Sequence, residues 1–420
     1  MIKHVLKIIW NQRRANGWIF AELLVVVAIL FSMMDSLLVD FYAYHQPLGF
    51  DITNTYKVQL GVLKPGMMGY VDEVTLATSL GEDAMRLVDN LRQAPEVEEA
   101  SISCVGSPYT YSNMWSSLVP DGVDSTWEVH SFQHHIVDAE YFDVLRMTTD
   151  DGNPITPLIR PEVGYVLSRE LAGKLFEGKR AIGEYVKFNM NNTDRYPVFA
   201  VSTPVRRSEY EKANARFFEV ATPARMIDLI AQWQVMPMDI LVRMRSNLTP
   251  DEFEAFLQGM GERLTVNNVY VSGGYSMKEM RADILKSRED NMKKKSALVG
   301  FMLLNVFFGI IGTFWLRTQA RQGEMGLRIA IGSSRSQLRR LMSIEGLCLL
   351  ALTVPLILIY LGNILYLDLP DTYRLPYTWW RFAATFGGAY LLMAGMISLG
   401  IWLPVRKAMQ MEPVEALHYE

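Results

Sequence analysis

Long apolar segments alternate with polar regions along this chain and predict membrane-spanning helices. Residues 297–316, 346–367 and 382–405 each contain at least 20 consecutive residues without a charged side chain. A helix of that length is about 30 Å long, which matches the hydrocarbon thickness of a bilayer. Buried helices of a soluble core explain three such segments less well. Pro355 lies inside the second segment, and we expect it to kink the helix without ending it.

The first apolar segment, residues 18–39, is less regular because it contains two acidic residues, Glu22 and Asp35. A carboxylate in the membrane interior costs about 2.5–3.5 kcal/mol on insertion scales. We therefore expect each acid to lie near a headgroup region or to face other helices; a proton relay or cation site at Glu22 is the alternative. A cleaved signal peptide is the competing interpretation of the segment. No small-residue cleavage site follows it, which favours an uncleaved anchor.

Basic residues are concentrated in three regions of the chain. If the chain crosses the membrane four times, all three regions lie on the same side of it. The stretch RTQARQGEMGLRIAIGSSRSQLRR, residues 317–340, carries six arginines and one glutamate between two apolar segments. The N-terminal residues 1–16 contain four Lys or Arg residues, and the tail after residue 405 begins with Arg406 and Lys407. The positive-inside rule puts all three regions in the cytoplasm. Five basic residues within 286–295 argue against this orientation, but charges beside a large translocated domain orient weakly.

These patterns predict a multi-pass α-helical membrane protein with four transmembrane helices and a large α+β extracytoplasmic domain. It would lie in contact with the lipid bilayer, with both termini cytoplasmic. The predicted segments are a cytoplasmic amphipathic helix (1–16), transmembrane helix 1 (17–39), an extracytoplasmic α+β domain (40–285), a stalk with transmembrane helix 2 (286–316), a cytoplasmic basic loop (317–343), transmembrane helix 3 (344–369), a short extracytoplasmic loop (370–381), transmembrane helix 4 (382–405) and a cytoplasmic tail (406–420).

The outer domain contains two β–helix–β patterns, at residues 55–105 and 238–273. In the first, TYKVQLGVL and VEEASISCV are strand-like and flank an amphipathic helix. In the second, Thr249 fits the N-cap of a helix. The pair indicates a split βαβ layout, with duplication left open. Residues 128–223 carry further strands and short helices, which we interpret as an inserted subdomain. Residues 277–300 are strongly helical and run into the second span, which predicts a rigid stalk.

Composition and motifs argue against several classes of function. The net charge of −4 gives no general basic field, so nucleic acid is not an expected partner. The sequence contains no phosphate-loop, HExxH, GxSxG or paired CxxC motif. Cys104 and Cys348 lie in dissimilar surroundings, so we do not expect a disulfide between them. A strand through His130, His134 and His135 would spoil helical metal-ligand spacing. We therefore favour ordinary surface histidines over a metal site, and predict no catalytic residues and no cofactor.

The stretch GEMGLRIAIGSSRSQLRRLMSIEGLCLLAL resembles the hallmark region of the MacB/FtsX-like permeases of ABC transporters. The tail PVRKAMQMEPVEALHYE is similar to the C-terminal ending of that family. VDAEYFDVLRM and VLSRELAGKLFEGKRAIGEYVKF resemble its periplasmic core domain. The first span departs from the family, because it lacks the glycine-rich pattern often found there.

The resemblance implies a permease of the bacterial inner membrane that is not itself an enzyme, pairs with a second copy or a paralogue, and binds a separate cytoplasmic ABC ATPase. It also implies that residues 40–285 form a periplasmic core domain, that residues 370–381 form a short periplasmic loop, and that residues 317–343 form the coupling loop. ATP-driven closure of the ATPases would move the stalk and the outer domain, for export or extrusion of a periplasmic or membrane substrate. A periplasmic adaptor or outer-membrane channel would fit export. Alternatives are a signalling regulator that switches a cell-wall hydrolase and a receptor without an ATPase. The residues that match the coupling motif or supply its apolar contacts are Glu324, Gly326, Leu327, Arg328, Ile329, Ala330 and Gly332.

Overall fold

The computed structural model describes residues 7, 9–11, 13–124, 127–235, 237–320, 323 and 332–408. The chain divides into two compact units. One, the membrane unit, combines Met1–Tyr44 with Arg288–Glu420, and the other, the outer domain, is His45–Ser287.

The regular elements of the described residues are given in chain order. The helices are α1 (Arg13–Tyr44), α2 (Leu80–Arg92), α3 (Tyr141–Val144), α4 (Arg169–Phe176), α5 (Pro223–Trp233), α6 (Pro250–Met260), α7 (Met277–Ala320), α8 (Arg335–Tyr366) and α9 (Trp379–Ala408). The strands are β1 (Thr55–Val62), β2 (Val97–Cys104), β3 (Trp115–Ser117), β4 (Val119–Pro120), β5 (Ser131–Val137), β6 (Gly164–Ser168), β7 (Tyr185–Lys187), β8 (Tyr196–Ser202), β9 (Arg216–Val220), β10 (Met238–Met244), β11 (Thr265–Val266) and β12 (Val269–Ser276).

Four helices within the described residues are long and apolar enough to cross a membrane. Their candidate spans are Asn16–Tyr44, Met277–Thr313, Arg340–Tyr366 and Trp379–Trp402. The predicted four-helix membrane architecture is therefore confirmed. Pro355 lies inside α8 without ending it, as expected.

An apolar core holds the helices of the membrane unit together. Val27 of α1, Leu349 of α8 and Met393 of α9 are almost completely buried in one cluster, together with Ile310 of α7. Gly400 of α9 lies so close to α7 that an added Cβ would meet Ile310 at 2.7 Å. Lipid supplies little hydrophobic driving force for the association of membrane helices. Their association is therefore stabilised by dispersion between closely packed side chains.

The outer domain is built on a mixed sheet whose first part has the order β11–β12–β1–β10–β2. These strands pair antiparallel with their neighbours. Strands β1 and β2 flank α2 in sequence, whereas β10 and β12 flank α6. Strand β10 lies between β1 and β2, and β1 lies between β10 and β12. The two β–helix–β units of the sheet therefore interleave. The predicted split βαβ layout is confirmed.

Local hydrogen bonds fix where the two helices of these units begin. The Ser79 and Thr249 side chains cap α2 and α6, and each forms a capping box with the glutamate three residues later. Thr249 is the cap expected from sequence. Leu87, Val88 and Leu91 of α2 are fully buried against the sheet, and each contributes about 1.5–3 kcal/mol of hydrophobic stabilisation.

The predicted insertion lies between β2 and β10 and continues the same sheet. Strand β5 joins β2 through the pairs Ser103–Val137 and Cys104–Ile136, and the order then runs β5–β9–β6–β8–β7–β4. The β5–β9 and β6–β8 pairs are parallel. Helix α5 is an addition that the sequence patterns did not predict, although Thr222 caps it and Pro223 begins it. Both cysteines are free, in agreement with the sequence analysis, but Cys104 is buried at the end of β2, not in polar surroundings.

A close approach of two helices in the outer domain yields a testable prediction. A Cβ at Gly81 of α2 would lie 2.5 Å from the Ile227 carbonyl oxygen of α5. Because that neighbour is backbone, Gly81→Ala should separate the helices and destabilise the protein by about 1–3 kcal/mol. Thermal unfolding of the full-length protein in detergent should show a lower midpoint.

Gly173→Ala is the matched control, because Gly173 lies inside α4 with nothing within 4 Å of an added Cβ. Alanine there should stabilise the helix by about 0.5–1 kcal/mol. Equal midpoints for the two variants would contradict the assigned packing of α2 on α5.

Candidate functional site

Gly332 is the one predicted coupling residue that falls among the described residues. Its φ of +103° belongs to the region that favours glycine. Ser334 follows as the N-cap of α8 and forms a capping box with Gln337. The remaining predicted coupling residues lie outside the described residues, and their role stays a prediction: Glu324, Gly326, Leu327, Arg328, Ile329 and Ala330.

A charge network surrounds Asp40, near the end of α1. Its carboxylate is fully buried and contacts Arg288 at 2.5 Å and Arg374 at 2.7 Å, with Lys295 at 3.5 Å. Arg288 and Lys295 belong to α7, whereas Arg374 belongs to the segment between α8 and α9. One acid therefore links three parts of the membrane unit. We call Asp40 and its three basic partners the Asp40 network.

A second buried ion pair lies about one and a half helical turns away on α1. Asp35 accepts hydrogen bonds from Arg381 of α9 at 2.8 and 2.6 Å, in a bidentate arrangement. Arg381 is completely buried and also donates to the carbonyls of Asp371 and Leu375. Bidentate arginine–carboxylate pairs are the most directional charged contacts in proteins. The expectation that Asp35 faces other helices is confirmed.

The short segment between α8 and α9 is held by its own ion pair. Arg374 contacts Asp371 at 2.5 Å, and the Arg374 backbone amide donates to the same carboxylate at 2.9 Å. Burial opposes ionisation of Asp371, but these hydrogen bonds outweigh it and lower its pKa. Burial likewise opposes the charge on Arg374, but Asp40 and Asp371 outweigh it and raise its pKa. The stabilisation from Asp371 is present above its unfolded pKa and is lost as the pH falls through its lowered folded pKa.

A cavity of about 350 Å³ lies beside these charges within the membrane unit. The apolar side of its lining includes Phe31 and Ile364. Its polar side includes Asp35, Lys295 and Arg374. The lining therefore combines apolar surface with both signs of charge, which suits an amphipathic group better than a purely apolar one.

Glu22, the other acid of the first span, lies against α7. Its carboxyl oxygen would be 2.6 Å from a Cβ added at Gly309. Glycine at position 309 thus makes room for the acid between two helices. This placement confirms that Glu22 faces another helix.

The histidines do not converge on one site. His130 is exposed near Glu128, whereas His134 is buried between Glu219 and Ser116, at 3.1 Å from each. His135 uses Nδ1 to contact the Val105 carbonyl at 2.7 Å. Asp138, which is near them in sequence, accepts hydrogen bonds from Arg92 and from the Ile102 amide. The part of the chain that the structure describes contains no group of three or more potential metal ligands.

Asp40, Arg374 and Arg381 were missed by the sequence analysis. The available signal was Asp35, an acid inside an otherwise apolar segment. Acids in such segments pair with basic groups or line functional pathways. A search for basic residues at the ends of the other spans would have found Arg381, beside Trp380.

Two family models match the chain. Residues 24–260, more than half of the 420, match the MacB-like periplasmic core domain. Residues 296–413 match the C-terminal region of FtsX-like permeases. The chain belongs to the MacB/FtsX-like permease family. The resemblance noted in the sequence is thereby confirmed.

Three of the solved structures similar to this permease are the following. A domain of a permease protein from Porphyromonas gingivalis has 11% identity and a TM-score of 0.34, and the match covers 53% of this chain and 89% of that one. The periplasmic region of MacB from Actinobacillus actinomycetemcomitans has 13% identity and a TM-score of 0.31, covering 58% and 95%. The extracellular domain of the noncanonic ABC-type transporter YknZ from Gram-positive bacteria has 12% identity and a TM-score of 0.27, covering 52% and 100%. The comparison with curated proteins found no match.

The Asp40 network gives a prediction for the stability of this permease. Asp40→Asn keeps the size of the side chain but removes the charge that neutralises Arg288, Lys295 and Arg374. Breaking a buried ion pair by removing one partner costs about 3–5 kcal/mol, so the thermal midpoint of the detergent-solubilised protein should fall by several degrees.

Asp290→Asn is the matched control on α7, since Asp290 is half-exposed and pairs with Lys293 at 3.4 Å. Exposed pairs contribute about 0–1 kcal/mol, so its midpoint should change little. Combining Asp40→Asn with Arg374→Met should restore part of the lost stability. Purely additive losses would show that Asp40 and Arg374 are not coupled.

Proposed function

We propose that this permease couples ATP hydrolysis by a separate ABC ATPase to movement of its outer domain, for export or extrusion of a periplasmic or membrane substrate. The observation that carries the proposal is the presence of both family regions on one chain: an outer core domain at residues 24–260 and an FtsX-like membrane domain at 296–413. ABC permeases of this kind act with an ATPase partner. The chain itself lacks the phosphate-loop motif.

The proposed orientation places both termini and residues 317–343 in the cytoplasm of a bacterium. Four spans and the concentration of arginine in that loop support it. The outer domain, residues 45–287, would then lie on the periplasmic side of the inner membrane. A second copy or a paralogue would complete a pair of loops for a pair of ATPase subunits.

The coupling contact is proposed to be the motif from Glu324 to Gly332. Leu327 and Ile329 would supply apolar area, and Arg328 would pair with an acidic group of the ATPase. The left-handed backbone at Gly332 and the cap at Ser334 support a sharp break between this motif and α8. A break of this kind allows a short docking segment to bind without being part of the spanning helix.

Helix α7 is the element best suited to transmit the movement. Its 44 residues, Met277–Ala320, form one helix about 66 Å long and contain no proline. The boundary between the two compact units falls inside this helix, between Ser287 and Arg288. A continuous helix carries displacement along its axis with little loss, whereas a loop would absorb it.

The coupling proposal predicts the effect of Glu324→Ala combined with Arg328→Ala. Each lost charge pair at a docking hot spot is worth about 2 kcal/mol or more, so stimulation of the ATPase by the permease in nanodiscs should fall by about tenfold or more. The thermal midpoint of the permease should not change, because the substitutions act at a contact between chains.

Arg321→Ala is the control in the same loop but outside the motif, and it should retain stimulation. Normal stimulation in the double variant would contradict the coupling assignment.

Cross-linking of the full-length protein to its partners distinguishes export from signalling. An adaptor or outer-membrane channel supports export, whereas a cell-wall hydrolase as the main partner would favour the signalling alternative.

A further inference from the structure

A small cavity in the outer domain contains a buried arginine with an unused hydrogen-bonding edge. The cavity has a volume of about 30 Å³ and is partly open to solvent. Its lining includes Arg216, His135, Gln133 and Ser107. About 10–15 Å³ is enough for one water-sized group, so the cavity holds about two such groups.

Arg216 begins β9 and is 5% exposed. Among the described residues, neither its Nε nor its Nη2 has a hydrogen-bond partner. Burial lowers the pKa of Arg216 to about 10, so the side chain stays charged at neutral pH. An unpaired buried charge is strongly unfavourable, and proteins normally supply a partner.

The other buried arginine of the outer domain's sheet shows the usual solution. Arg243 is 1% exposed, and its Nε, Nη1 and Nη2 each donate to a backbone carbonyl at 2.6 Å. Arg207, which also lines the cavity, donates to the Thr110 carbonyl at 2.6 Å. Arg216 therefore differs from its neighbours in having an unsatisfied edge.

The unsatisfied atoms of Arg216 are chemically specific. Nε–H and Nη2–H form one side of the planar guanidinium and point the same way. That edge matches the two oxygens of a carboxylate through parallel hydrogen bonds.

Other unpartnered atoms in the lining define what must lie beside the carboxylate. His135 Nε2 and Gln133 Oε1 are buried acceptors without a partner among the described residues. Because His135 Nδ1 lies 2.7 Å from the Val105 carbonyl, Nδ1 carries the proton and Nε2 presents a lone pair. Burial, and then the charge of Arg216, lowers the pKa of His135 to about 3, so the ring stays neutral. A hydrogen-bond donor is needed next to these acceptors.

The fold brings these groups together without rearrangement. Gln133 of β5 is directly opposite Arg216 of β9 in the parallel pair, and His135 is opposite Phe218. Residues two apart on a strand share a face. The His135 and Phe218 rings stack at 5.3 Å, and Tyr141 donates its hydroxyl hydrogen to the Gly106 carbonyl, next to Ser107. The site is therefore preformed.

We propose that this cavity binds the carboxylate of a small molecule or peptide end that carries a hydrogen-bond donor beside it. Arg216 holds the two carboxylate oxygens, and His135 and Gln133 accept the hydrogen bond from the adjacent hydroxyl or amide. The donor is the hydroxyl of a 2-hydroxy acid or the last amide N–H of a peptide. The site does not depend on the proposed coupling to an ATPase.

Calorimetry on the full-length permease in nanodiscs tests the site with four probes: L-lactate, N-acetylglycine, acetate and inorganic phosphate. L-lactate or N-acetylglycine should bind about tenfold or more tightly than acetate, which lacks the adjacent donor. Preference for L-lactate identifies a free hydroxy acid, and preference for N-acetylglycine identifies a peptide end. Binding of phosphate alone, or of no probe, overturns the proposal.

Arg216→Met should weaken binding of the preferred probe by about tenfold or more. Without ligand it should raise the thermal midpoint, because it removes an uncompensated buried charge. Arg216→Lys keeps the charge but loses the paired edge, and it should also weaken binding. Arg160→Met, at an exposed arginine that contacts Glu162 at 3.8 Å, is the control and should bind normally. Unchanged binding in both Arg216 variants overturns the proposal.

Discussion

Acidic residues inside apolar helices impose the constraint on which the membrane unit depends. Asp35 and Asp40 lie on one helix that must enter a low-dielectric region, and each is tolerated because it meets a cation. Asp35 has the buried guanidinium of Arg381, and Asp40 has Arg288, Lys295 and Arg374. These contacts join residues far apart in sequence. They therefore favour one arrangement of α1, α7 and the segment before α9 over alternative arrangements whose apolar side chains would pack equally well.

Helix α7 carries charged contacts in both compact units. In the outer domain its Arg281 pairs with Glu209 at 2.5 Å, and Glu209 also accepts a hydrogen bond from Tyr109. In the membrane unit its Arg288 and Lys295 belong to the Asp40 network. Under the proposed function, displacement of this helix by an ATPase would act on both sets of contacts. Tyr109 and Glu209 belong to loops that also contribute to the lining of the Arg216 cavity.

Features governed by neighbouring residues could be predicted from the sequence, and features governed by distant pairing could not. The caps at Thr249 and Ser334 depend on hydrogen bonds within three residues, and the cap predicted at Thr249 is confirmed. The four spans follow from length and polarity alone. By contrast, Asp35 meets Arg381, 346 positions away, and the site at Arg216 depends on the parallel register of β5 with β9. Helix α5 shows a local signal that was overlooked, because Thr222 and Pro223 mark its beginning.

The central claim is that the arginine-rich loop and the outer domain lie on opposite faces of the membrane. Single cysteines at Arg328 and at exposed Arg160, introduced after Cys104→Ala and Cys348→Ser, can be labelled with a membrane-impermeant maleimide. The account predicts that position 328 reacts in inverted vesicles and not in spheroplasts, whereas position 160 shows the opposite pattern. Reaction of both positions from the same face would contradict it.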